Sequence, residues 1–455
     1  MIKVVNKSLL AIAVSGILAS PAVYATNGYF SHGFSTKEKG LAGAGTAYSQ
    51  DSMAAATNPA GMAFVGERMD IGIQLFSPSP RSYTVTGTPL PPPPAPGSNP
   101  MLPFGSAINA APGVEVESDN DLFLIPSFGY NWQLKNDSTI GVSVYGNGGM
   151  DTEYPAESTP FGAGTFGAGR VGISLAQLFV STTFAKKIND KHAFGGSLLL
   201  VGQRFIGEGL EAFSAFSSDP GNLSGNRKSD SYGAGLKLGY QGQVSKSVRI
   251  GVAYQSKISM SEFDEYKGLF AEGGDFDIPS TYNIGVSFDV GKSGVIVADI
   301  QQINYSEVAS ISNPINNLLS NCIPAPFSPS GSAEGAGCLG ASAGGGFGWE
   351  DMTIFKIGYQ VDVNEKHTIR FGYSHADQPI PETETFFNII APAVTEDHFT
   401  AGWTMKVGDN QEFNLAGMYA PSNSVKGNNP IDGGSTQIEI QMSQWDIQAG
   451  WAWKY

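Results

Sequence analysis

Connections that alternate strictly between long and short place the strongest constraint on what this chain can fold into. From Met69 onward the sequence reads as segments in which apolar residues alternate with small or polar ones at a period of two. The cleanest sets Tyr282, Ile284, Val286, Phe288 and Val290 against Asn283, Gly285, Ser287 and Asp289. Two more carry Tyr232, Ala234, Leu236, Leu238 and Tyr240, and Phe399, Ala401, Trp403, Met405 and Val407, on one face. Fourteen strands are expected, near 69–77, 120–134, 138–148, 170–185, 191–206, 229–243, 246–260, 278–290, 293–306, 349–361, 367–376, 397–408, 411–420 and 436–455. Connections after odd-numbered strands are long: 78–119, 149–169, 207–228, 261–277, 307–348, 377–396 and 421–435. Those after even-numbered strands are tight turns, such as Leu134-Lys135-Asn136-Asp137, Val290-Gly291-Lys292 and Gly408-Asp409-Asn410. A soluble sandwich has no reason to sort its loops in this way. An even-stranded barrel with short periplasmic turns and long outer loops does. In the last strand Trp445, Ile447, Ala449, Trp451, Trp453 and Tyr455 share one face, and the aromatics among them suit the membrane interface. The expected fold is therefore all-β, a 14-stranded antiparallel transmembrane β-barrel in the outer membrane of a Gram-negative bacterium.

Composition agrees. Charged residues are 15% of 455, against roughly 25% in an ordinary soluble domain. Past residue 25 there is no run of 18 apolar residues, which excludes a helical span. A net charge of −15 argues against a nucleic-acid partner. Lys3 and Lys7, the apolar run Leu9 to Leu18 and the small-residue site ending at Ala25 read as a signal peptide over 1–25. Residues 26–66 do not alternate and form a separate N-terminal segment; 67–455 is the barrel. Cys322 and Cys338 share one Gly/Pro/Ser-rich loop with no histidine nearby, so a disulfide worth about 3 kcal/mol is expected there rather than a zinc site.

No catalytic residue, metal or cofactor is expected. His32, His192, His367, His375 and His398 share no ligand spacing. Ser374, His375 and Asp377 contain triad residue types, but neighbours on a strand point to opposite sides. The glycines of the N-terminal segment do not make a phosphate loop, because no strand precedes them and no Gly-Lys-Ser/Thr follows. That segment reads instead as short turns with a brief helix around Ser52 to Ala56. A lumen of fourteen strands is too wide for wall side chains to fill, since eight strands already suffice for that, and the N-terminal segment is placed to fill it as a hatch.

The block Asn27-Gly28-Tyr29-Phe30-Ser31-His32-Gly33, the run Gly40-Leu41-Ala42-Gly43-Ala44-Gly45 and Asn58-Pro59-Ala60 resemble the FadL-type outer-membrane transporters of long-chain fatty acids and other hydrophobic compounds. Further similarity runs along Ile278-Pro279-Ser280-Thr281-Tyr282, Val297-Ala298-Asp299-Ile300-Gln301, Arg370-Phe371-Gly372-Tyr373 and Pro379-Ile380-Pro381. The resemblance implies a hatch that plugs the lumen, with Asn58, Pro59 and Ala60 facing an inward kink in the third strand. The kink implies a gap in the wall through which cargo leaves sideways into the membrane. Gly146, Gly148 and Gly149, near the end of that strand, are the residues able to bend it. Such a route spares an acyl tail its exposure to water, at about 0.8 kcal/mol per CH₂.

Candidate ligand contacts follow from strand phase. Ile438, Ile440 and Met442 fall on the face opposite Trp445 and Trp451, and point into the outer half of the lumen unless a bulge near Ser443 restores the phase. Phe30 and Phe34 are the apolar candidates of the hatch. Lys237, Arg249, Lys356 and Arg370 lie on the lumen face, where each can meet a substrate carboxylate or pair with a lumen acid. Thr88 to Pro103 holds eight prolines and reads as a stiff part of an outer loop. The expected function is passive transport of hydrophobic compounds, long-chain fatty acids first and monoaromatic hydrocarbons as the nearest variant, by a monomer whose partners are its cargo and outer-membrane lipid. A general porin for hydrophilic solutes is the competing class; an adhesin or structural barrel is a third.

Overall fold

The computed structural model describes residues 27–89, 107–158, 163–225 and 227–455. The expected signal peptide and most of the proline-rich run lie outside these residues. One antiparallel sheet closes on itself, because its first segment pairs with both the last and the fourth. Its segments begin with β1 (Arg68–Ser77), β2 (Arg81–Gly87), β3 (Glu115–Glu117), β4 (Phe123–Gln133), β5 (Ser138–Tyr154) and β6 (Val171–Asn189). They continue with β7 (His192–Glu208), β8 (Ser229–Gln243), β9 (Val248–Gln255), β10 (Ser259–Met260), β11 (Thr281–Val290) and β12 (Gly294–Ile303). The circuit ends with β13 (Met352–Asp362), β14 (His367–His375), β15 (Asp397–Val407), β16 (Gln411–Asn428) and β17 (Thr436–Lys454).

These segments make fourteen staves, because three staves are interrupted. β1 and β2 pair with successive stretches of β17, β3 and β4 lie against β2 and β1, and β9 and β10 share β8. Two of the expected loops are shorter than their composition suggests. The connection 78–119 contains β2 and β3, and the connection 421–435 shrinks to 429–435 because β16 continues to Asn428. The third stave also runs on, to Tyr154 instead of 148. The tight turns are built as expected: Asn136 and Asp137 both take positive φ (60° and 56°), the backbone of a primed hairpin turn.

The apolar face of the alternation looks outward. Tyr232 is 66% exposed, Ile284 61% and Phe399 51%, values that a sandwich core would forbid and a lipid-facing wall requires. Along β17 the inward set is Ile438, Ile440, Met442, Gln444, Asp446, Gln448, Gly450 and Ala452, with no break in parity. No bulge interrupts it; the register shift falls on the partner strand β16, between Ala420 and Asn423. The chemistry therefore inverts while the geometry does not. Below Ser443 the polar residues face in and the tryptophans out. Above it Ile438, Ile440 and Met442 face in, and Gln437 is exposed on the outside. That inversion marks where the wall rises out of the apolar layer.

Residues 27–66 sit inside this wall. Short helices at Thr36–Lys39 and Ala54–Thr57 and a 3₁₀ turn at Pro59–Ala63 are almost wholly buried. Asn58 opens that turn, its Oδ1 accepting from the Ala60 N–H (3.1 Å).

Candidate functional site

The lower lumen, toward the tight turns, is a polar seat for the N-terminal segment. Lys37 Nζ lies 2.7 Å from Glu412 Oε2 on β16, and Lys39 Nζ lies 3.0 Å from Asp446 Oδ2 on β17. Glu412 also meets Arg68 (3.3 Å) and Lys454, and Arg68 holds Asp70 at 2.7 Å. Asp299 on β12 accepts at Oδ2 from the Gly45 and Thr46 N–H groups (2.8 and 2.9 Å) and from Thr46 Oγ1 (2.8 Å). His32 bonds Ser374 Oγ through Nε2 (2.9 Å) and stacks on His398 at 4.7 Å. Glu38, on the N-terminal segment, is pushed up to about 8 by burial, with Asp51 close by adding to the rise. Buried charges arranged this way fix position, because removing one partner strands the other.

The candidate cations divide. Arg249 pairs with Asp289 at 2.5 Å and also donates to Ser287. Among the described residues Arg370 has no acid partner in its hydrogen bonds; it donates to Gln360 (2.7 Å), Thr404 (2.7 Å) and, across to the N-terminal segment, Gln50 (3.1 Å). Lys237 donates to the Ala56 carbonyl. Lys237 and Lys356 both line a polar cavity of about 20 Å³ with His32, Asp299, Phe30 and Phe34, room for roughly one water.

Asn58, Pro59 and Ala60 do not face the third stave's kink. Asn58 Nδ2 donates to the carbonyls of Thr46 (2.7 Å) and Tyr240 (2.9 Å), and a Cβ on Gly239 would come within 2.0 Å of Asn58 Oδ1. The turn therefore seats against β6, β7 and β8. Against the kink lies the start of the segment instead: Phe30 bridges Gly148, Gly149 N–H donates to Tyr29 O (3.0 Å), and Ser31 N–H donates to Asn147 O (2.7 Å).

The kink itself is explicit. β5 alternates normally up to Ser143, then every residue from Val144 to Thr152 is buried, so the strand has left the lipid-facing wall. A register shift against β6 falls between Gly146 and Gly148. On the other side, β4 and β5 share a ladder only from Gln133↔Thr139 to Phe128↔Val144. Above that they part, rejoining where Asp119 N–H donates to Glu153 O (2.8 Å). Pro126, inside the parted stretch, has no N–H to leave unpaired. The N-terminal segment takes up part of β5's backbone bonding there.

Above this level the lumen is apolar. Ile173, Phe205, Leu210, Phe213, Phe270 and Phe387 are among the residues lining a cavity of about 40 Å³, with Leu339, Phe347 and Ile390. Phe205 and Phe270 meet edge to face at 4.8 Å, and Phe213 and Phe387 at 5.6 Å. Ile438, Ile440 and Met442 belong to the same buried cluster, as do Phe30 and Tyr29 at its floor, with Phe34 packed against it. The loops that roof it are stitched together. Leu339 N–H donates to Phe216 O (3.0 Å), Trp349 Nε1 donates to Asn388 Oδ1 (2.6 Å), and Cys322 and Cys338 are joined as a disulfide within one of them.

Sequence reasoning did not single out Lys37, Lys39, Glu412 and Asp446, although inward parity already placed the two acids opposite a Lys-Glu-Lys run. Phe213 and Phe387 lie in loops, where periodicity gives no signal.

The sequence matches the family described as "Outer membrane protein transport protein (OMPP1/FadL/TodX)" over residues 22–445. The Pseudomonas putida toluene transporter TodX superposes with a TM-score of 0.63 at 17% identity, covering 93% of this chain and 99% of that one. A Pseudomonas aeruginosa FadL homologue gives 0.63 at 16% identity, covering 94% and 99%. The Ralstonia pickettii toluene transporter TbuX gives 0.57 at 16%, covering 93% and 99%. Among curated proteins no sequence match is found.

Proposed function

The chain belongs to this family of outer-membrane transport proteins, and from that premise we propose that it passes small hydrophobic compounds from the apolar chamber sideways into the membrane, through the parted ladder between β4 and β5. The carrying observation is that parting: the wall loses its hydrogen bonds above Phe128↔Val144, at the level where β5 turns inward. Cargo held among Phe205, Phe213 and Phe270 stays in apolar surroundings, and a lateral exit returns it to apolar surroundings without a water crossing. The N-terminal segment serves as the hatch that denies water a straight path, held by Lys37, Lys39 and the Asn58-Pro59-Ala60 turn.

The cargo reading that fits this chamber best is a monoaromatic hydrocarbon, the kind of compound named for the toluene transporters among the structural neighbours. At about 40 Å³ the cavity is smaller than the roughly 150 Å³ site that holds benzene in an engineered protein, so cargo enters by displacing aromatic rings. Long-chain fatty acids are the second reading. What favours them is the Lys237–Lys356 pair beneath Phe30, which a carboxylate would reach only by displacing that ring and enlarging a cavity that holds roughly one water.

The exit is tested by closing it. In continued register Pro126 would stand opposite Gly146, so cysteines at both positions can be bridged with a bifunctional maleimide. Bridging is expected to cut uptake of labelled toluene at least tenfold, with the unbridged double variant near wild type. Full uptake through the bridged protein would place the exit elsewhere.

A further inference from the structure

Resting on the transport reading, we propose that the mouth and chamber select cargo by charge, admitting neutral hydrophobic molecules and turning carboxylates away. The chamber offers an anion nothing. Among the described residues lining it there is no Lys, Arg, His, Asn or Gln, and the one side-chain hydroxyl, Ser310 Oγ, is spent on the Asp275 carbonyl at 2.5 Å. A carboxylate that entered would shed its water with no side-chain donor to replace it, at the cost of a poorly compensated buried charge. Lys237 and Lys356 give no relief, because they line the separate polar cavity beneath Phe30.

The loops that supply the lining add a field of the same sign. They are 209–228, 256–280, 304–351 and 376–396, and the last two contain no Lys or Arg at all. In the other two, Arg227 pairs with Glu265 (2.7 Å), Lys257 with Asp277 (3.0 Å) and Lys267 with Asp264 (2.6 Å), while Lys228 is exposed with no ion pair among the described residues. Glu211, Glu262, Glu272, Glu350 and Glu382 are exposed on these loops with side chains outside any ion pair among the described residues. Carboxylates on the loops that line an apolar chamber repel an approaching anion, over a range of about 8–10 Å at physiological salt. A neutral solute of the same shape feels neither the field nor the desolvation.

Toluene and benzoate share a ring and differ by one charge, which makes them the probes. The full-length protein is placed in vesicles with a lipopolysaccharide outer leaflet, alongside protein-free vesicles, and uptake of each labelled compound is followed. The variant carries E211Q, E262Q, E272Q, E350Q and E382Q together. Wild type is expected to take up toluene while benzoate stays at the protein-free level. The variant is expected to raise benzoate uptake about tenfold and to leave toluene within twofold, which also reports that it folds. Benzoate entering wild type as fast as toluene would overturn the charge filter while leaving transport intact; benzoate staying at background in the variant would overturn the part assigned to the loop carboxylates and leave exclusion to the chamber alone. Absence of protein-dependent toluene uptake by wild type would overturn the transport reading itself, and the filter with it.

Discussion

The lower and upper halves of the lumen are enclosed by the same fourteen staves yet are held together by opposite physics. Below the level of Ser443 the interior is filled by residues 27–66 and fixed by directional contacts: Lys37 to Glu412, Lys39 to Asp446, Thr46 to Asp299. Above it the interior is a cluster of aromatic and aliphatic side chains whose attraction has no direction. A seat that must not slip uses charges that cannot be left unpaired. On the proposed function, a chamber that reshapes around cargo is served by surfaces that tolerate rearrangement. The inversion along β17 shows how little sequence the change needs, since it exchanges residue types on two faces and alters no backbone.

The most severe way to break this contrast is to remove the lower filling. Deleting residues 27–56 takes away the polar seat while leaving the staves intact. The expected outcome is a barrel that still assembles, conducts ions steadily in a planar bilayer and no longer distinguishes toluene from polar solutes. Unchanged, selective uptake without this segment would show that the upper chamber alone gates passage.

A smaller break is a single charge. Glu412→Ala leaves Lys37 and Arg68 buried beside a missing partner, and is expected to cost about 3–5 kcal/mol in urea unfolding of the folded barrel. Smaller again is Gly148→Val. Its Cβ would stand 2.1 Å from Tyr29 O, so the bridge between Phe30 and Gly148 must open. About 1–3 kcal/mol of local strain is expected, read as faster hydrogen exchange at the Ser31 and Gly149 amides with the Lys37 region unchanged. Protection unaltered at those two amides would mean that the segment does not close the kink.

The lower half was far more legible from sequence than the upper. Lipid-facing strands must alternate, so Tyr282 to Val290 announced itself; the tight turns followed from residues such as Asn136 and Asp137 that accept positive φ. The phase of Ile438, Ile440 and Met442 was also readable, since parity persists unless a bulge intervenes, and the bulge lies on β16 instead. What failed to show was anything held by contacts between distant segments. β2 and β3 rise above the membrane, where neither face must be greasy, and their flanking composition hid them as loop. What meets the third stave's kink is Tyr29 to Ser31, and backbone pairing across more than a hundred residues leaves no periodic trace. The chamber's Phe213 and Phe387 were unreadable for the same reason.

The mildest prediction is also the one that most sharpens the comparison. Phe213→Leu and Phe387→Leu each exchange one apolar side chain for another in the upper chamber, where both rings pack edge to face with each other and with Phe386. Such swaps usually cost less than about 1.5 kcal/mol, because no polar group is stranded and neighbours can close in. Urea unfolding should therefore barely move, in contrast to Glu412→Ala. Uptake should move: with a smaller ring edge to displace, bulkier alkylbenzenes are expected to gain several-fold relative to toluene. If instead the leucine variants unfold as readily as the Glu412 variant while their cargo preference stays fixed, then the upper half is as rigidly specified as the lower, and the difference between the two interiors is chemical without being functional.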